Sequence, residues 1–223
     1  MKRLLLACSV SLLAFEAIGQ SSPGGVSVSL RWWLKADAGV LNPSSGAASD
    51  GEAVLQWNDQ STIVNNASQG TAGNRPVFRT SVINGNPVLR FSGNQFVDAA
   101  SAPGIVTSNS FYYFLVFKPS SFTSGGTGDG SGTYIIDRTT PNNPLTSFKV
   151  VNTDKYHFQK RNNSGGVTGP IATTAANTTS FVIADYFRNF NTALGLGLNG
   201  ATPVTSGDDA GDGARDVGRG VGC

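Results

Sequence analysis

The chain of 223 residues has very little with which to hold a metal, relay a proton or bridge two sheets covalently: one histidine, two cysteines and one methionine. A zinc site built on histidines is therefore unavailable. Cys8 lies in the expected leader and Cys223 is the last residue, so the exported chain has no pair for an internal disulfide and its stability rests on an apolar core. Charge is equally sparse, with 16 basic and 14 acidic side chains. Without the leader these become 14 and 13, a balance that offers no electrostatic hold on nucleic acid or an anionic membrane. Beyond the first twenty residues no apolar run approaches the length that crosses a bilayer.

The N-terminus has the grammar of an export signal. Lys2 and Arg3 precede an apolar stretch from Leu4 to Ala14 that is too short to span a membrane, and Ala17-Ile18-Gly19 places small residues where a signal peptidase reads. Glu16 directly after the apolar run argues against an uncleaved anchor. The expectation is a leader at 1–19, a Ser/Gly-rich lead-in at 20–27, one domain at 28–206 and a Gly/Asp-rich irregular tail at 207–223, secreted or at the cell surface with no membrane insertion after cleavage.

What the chain does have is turn residues and short β-forming runs. The alternation of Leu30, Trp32 and Leu34 with Arg31, Trp33 and Lys35 predicts a first strand over Val28–Lys35. Shorter strands are expected at Ala53–Trp57 and at Pro87–Phe91 after the Asn84-Gly85 turn. Phe111–Lys118 is unbroken apolar sequence to its last residue and predicts a central strand covered on both faces. Tyr134–Asp137, Thr146–Val151, Lys155–Arg161, Ser180–Arg188 and Leu194–Leu198 supply five more. Strands at this spacing, without a helical period, indicate an all-β antiparallel sandwich.

Several motifs narrow this further. Trp33-Leu34-Lys35-Ala36-Asp37-Ala38-Gly39-Val40, then Trp57-Asn58-Asp59-Gln60-Ser61, then Asn84 to Phe91, and later Phe114 to Pro119 and Leu198-Asn199-Gly200 follow one another in the chain. In that order they resemble the laminin-G-like, concanavalin A-like jelly-roll domains of secreted bacterial surface proteins, over about residues 30–200. The resemblance implies a non-catalytic module that binds a glycan or another cell-surface ligand, as part of a larger surface protein. Such domains usually end in a further strand of the form G-x-I-x-E-V-I-V-Y. Nothing here matches it, and the expectation is a chain truncated or shifted in frame near residue 207, with an unpaired sheet edge.

Enzymatic alternatives are weakly furnished. Jelly-roll glycosidases need two carboxylates flanking the scissile bond, commonly as E-x-D-x-x-E on one strand. After the leader there is a single glutamate, Glu52, in a loop beside Asp50, and that motif is absent. Asp208 and Asp209 fall in the tail, where the sequence gives nothing to fix them. His157, between Tyr156 and Phe158, is expected on the outer face of its strand, and Gly125–Gly132 reads as a loop because no lysine or helix start follows it. The ligand-binding candidates are Trp33, as an aromatic platform, and the Trp57-Asn58-Asp59 turn. No cofactor is required; Asp59 and neighbouring carbonyls offer calcium the clustered oxygen donors it favours, against the alternative that Asp59 holds the turn by accepting backbone bonds. A structural or adhesive spacer is the competing function, and a glycoside hydrolase the more distant one.

Overall fold

The structure, a computed structural model, describes residues 22–99, 110–123, 132–140, 143–151, 154–161 and 167–208, with backbone alone at 138–140, 143–146 and 161. The expected leader, residues 209–223 of the tail and most of the Gly-rich loop at 125–132 lie outside the described residues. Every strand pairing described is antiparallel.

Residues 22–99 build short elements: β1 Val40–Leu41, β2 Gln56–Trp57, β3 Ala67–Ser68, β4 Val77–Ile83, β5 Asn86–Arg90 and β6 Asp98–Ala99. Strands β1, β2, β3 and β6 pair in that order, and β4 and β5 form a separate hairpin. Asn84 and Gly85 at its tip both have positive φ, 49° and 78°, which is the twist a tight hairpin turn demands and the reason Asn-Gly occurs there. Val40, Val54 and Phe78 are the buried centre of this region, with Trp57 and Leu89 packed against them.

The sandwich proper comes from the rest of the chain. Strands β7 Phe111–Phe117, β8 Thr133–Thr140, β9 Asn143–Val151, β10 Lys155–Arg161, β11 Val167–Thr168, β12 Ile171–Ala175, β13 Val182–Asn189, β14 Ala193–Leu198 and β15 Val204–Gly207 form two sheets. One runs β11-β10-β9-β8, with β12 also on β10; the other runs β15-β14-β13-β7. Alternate residues from both face one interior: Phe148, Val150, Tyr156 and Phe158 from the first, Val182, Ala184, Tyr186, Leu194 and Leu196 from the second. Rings interlock across it, Phe148 stacking on Tyr186 at 5.4 Å and Phe158 tilting against Tyr186 at 4.8 Å. Full burial of each such side chain contributes about 1.5–3 kcal/mol, and no cysteine lies among the described residues that these two sheets bring together.

Three expectations are corrected. Residues 28–35 do not form a strand. Ser29 has φ 63°, which ends any extended run, and the Trp33 amide donates to Asp59 rather than to a ladder. Phe111–Phe117 is the outermost described strand of its sheet rather than a central one, and only alternate residues face the core. The tail begins later than its glycines suggest: Gly207 closes β15 and the Asp208 side chain is fully buried. Lys160 of β10 and Arg188 of β13 both grip it, at 2.7 and 2.8 Å, so one carboxylate ties the two layers together.

Candidate functional site

The Trp57-Asn58-Asp59 turn is a clasp. Asp59 Oδ1 accepts from the Trp33 and Ser61 amides at 2.8 and 2.9 Å, and Oδ2 from the Ser61 hydroxyl and the Asn65 amide at 2.7 and 2.9 Å. Ligating a cation would cost these four bonds. Asn58 donates its amide to Gly39 and accepts from the Gln56 side chain. The Trp57 indole donates to the Lys35 carbonyl at 2.9 Å while its ring packs on the β1–β4 core. Trp33 is half-buried, with the Lys35 ammonium 5.3 Å from its ring. The four expected site residues therefore come together, but as the knot joining residues 32–35 to 57–66.

The carboxylates of the neighbouring loop are likewise engaged. The Thr80 amide, helped by Arg79, holds the Asp50 carboxyl below its usual range, and the Ser49 amide with the Asn42 side chain does the same for Glu52. A general acid needs the opposite shift.

His157 is buried, 3% exposed, correcting its expected surface position. β10 lies inside its sheet, and the face carrying Ser147, Lys149, His157 and Gln159 is covered as completely as the apolar one. Burial pushes the imidazole down to about 4, the Lys149 ammonium opposite it adds to the shift, and a hydrogen bond to the Gly169 backbone opposes it. The ring is thus neutral at physiological pH.

The outer face of the other sheet has a different character. Strand alternation sends Tyr112, Phe114 and Val116 of β7 outward, opposite Phe187, Asp185 and Ile183 of β13. Phe114 is 75% exposed, Val116 59%, Tyr112 58% and Ile183 51%. Tyr112 stacks on Phe187 at 4.8 Å and on Phe114 at 5.7 Å, with planes within 20°. Glycine makes room for this arrangement. Gly195 and Gly197 of β14 face Phe187 and Asp185 in the register, and a methyl group on either would overlap the ring or the carboxylate. The face is an apolar, ring-bearing strip about two strands wide with one carboxylate set in it.

Aromatic C–H and π surface beside a hydrogen-bonding group is what stacking on a sugar ring requires. Sequence reasoning placed that role on Trp33 and missed this strip. Its signal was present: the alternation inside F-Y-Y-F-L-V-F exposes every second residue once the strand loses a covering layer, and the L-G-L-G-L of β14 leaves its outer face bare. Among the described residues, no three histidine, cysteine, aspartate or glutamate side chains gather as a metal-binding group. No family model matches this chain, and no curated protein or solved structure matches it either.

Proposed function

We propose that this protein is a secreted or cell-surface carbohydrate-binding module without catalytic activity, its sandwich following the concanavalin A-like jelly-roll plan. The observation that carries the reading is the exposed Tyr112–Phe114–Phe187 stack beside Asp185. An isolated surface phenylalanine needs no explanation; a stacked row with space cleared by Gly195 for Phe187, and by Gly197 for the Asp185 carboxylate beside it, is harder to account for as leftover core. Asp50 and Glu52, their carboxyls held below the usual range, are poorly suited to act as a general acid.

A glycan array probed with the purified chain, with and without calcium, tests the reading. Binding should appear on a subset of glycans, weaken at least about tenfold in Tyr112→Ala and Phe114→Ala, as expected when an interface anchor is truncated, and survive in Trp33→Ala. Flat responses across the array would leave the adhesive-spacer function as the better account.

A further inference from the structure

Asp185 sets the chemistry of the aromatic strip. It is half-buried on the outer face, between Ile183 and Phe187 along β13, with Phe114 opposite on β7 and its carboxylate over Gly197 on β14. Among the described residues it has no hydrogen-bond or ion-pair partner. The nearest cation on that face in the register is Lys118, at the next outward position beyond Val116 just past the end of β7, whose ammonium sits 6.0 Å from the Phe181 ring. The other charged side chain of β13, Arg188, points into the interior and is held by Asp208.

A ligand lying on the stacked rings covers this carboxylate and strips its water. Covering it with a group that brings no charge leaves the anion desolvated, with neutral hydrogen bonds as its only return. An acidic sugar adds repulsion. A ligand ammonium instead makes a charge-assisted hydrogen bond, roughly twice as strong as a neutral one. The same ammonium gains from the π-faces of Tyr112, Phe114 and Phe187, which attract a nearby cation. Rings and carboxylate thus select the same ligand charge.

We infer that this face takes a cationic amino sugar, with Asp185 receiving the ammonium and the Tyr112–Phe114–Phe187 stack receiving the sugar's C–H face. The inference rests on the carbohydrate-binding reading and narrows it to glycans carrying free amino groups.

Isothermal titration of the full chain with glucosamine oligomers and with their N-acetylated counterparts, at pH 6, tests it. The two probes share a backbone and differ in charge. The glucosamine oligomer should bind about tenfold more tightly, and raising salt from 50 to 500 mM should shrink that preference, as screening of a partly exposed ion pair requires. Asp185→Asn, which keeps the side chain's shape over Gly197, should bring the two ligands within about twofold of each other while the denaturation midpoint stays put. If both oligomers bind equally to the unmodified chain, the amino-sugar inference fails and the carbohydrate reading stands. If neither oligomer binds and the array is also flat, the carbohydrate reading itself fails. Capture of a lysine-rich peptide in place of either oligomer would overturn the inference in favour of a protein partner.

Discussion

Two residues show how neighbours decide what a polar side chain does. Asp59 has the look of a ligand residue, an acid beside a tryptophan in a polar loop, yet four donors converge on it. Asp59→Ala should lower stability by about 2–4 kcal/mol, since buried donors lose a charged acceptor. Urea denaturation reads this, and glycan binding measured below the unfolding transition should be unchanged. His157 gives the opposite lesson, a titratable group silenced by its surroundings. Its folded value of about 4 lies below the ordinary histidine value near 6.5. Above pH 6.5 both states are neutral and nothing is lost. Between about pH 6.5 and 4 the unfolded chain takes up a proton that the folded chain refuses, so stability falls with pH, by about 3 kcal/mol across the window. Denaturant unfolding from pH 7.5 to 4 should show that slope, and His157→Gln should flatten it. The alternation correctly placed Tyr156 and Phe158 in the core. It could not show that the other face of β10 is covered too, because burial of a polar face leaves no apolar pattern.

At the scale of elements, β7 and β15 mark the limits of reading strands from composition. Seven apolar residues in a row suggest a strand buried on both sides, but β7 has β13 on one side only among the described residues, and every second side chain is in solvent. The Val-Thr-Ser-Gly of β15 is too short and polar to announce itself, yet it pairs with β14 along its length and delivers Asp208 to Lys160, Arg188 and the Asn191 amide. Burial pushes the Asp208 carboxyl up, and the hydrogen bonds from Arg188, Lys160 and Asn191 outweigh it, holding the group below its ordinary range. Its stabilising effect is therefore complete above the unfolded carboxylate value near 3.9 and fades as pH falls through the lower folded value. Asp208→Asn removes the buried carboxylate that Lys160 and Arg188 share and should cost about 3–5 kcal/mol at pH 7. The gap between variant and parent should narrow at pH 3 and below, which chemical denaturation at pH 7, 5 and 3 would measure. No charge count could locate this bond, since 48 residues separate Lys160 from Asp208.

For the molecule as a whole, the strip proposed to take a ligand is also an adhesive surface among the described residues. An outer strand with exposed aromatic side chains is a place where copies associate. Phe114→Ser, at the most exposed of those rings, should reduce light scattering on concentration while changing the unfolding free energy by no more than about 0.5 kcal/mol, as for surface positions generally. The sequence alone determined the class of architecture and much of its timing. Alternating apolar positions, β-branched and aromatic runs, and an Asn-Gly tip specify antiparallel strands locally, because side-chain direction in a strand repeats every two residues. Only the tertiary structure decided which faces are covered: that residues 28–35 are tied down by the Asp59 clasp, that His157 is enclosed, that Asp208 joins two sheets, and that Tyr112, Phe114 and Phe187 look outward. Coverage depends on what a distant segment brings to a face, and a two-residue period gives the direction of a side chain without saying what waits there.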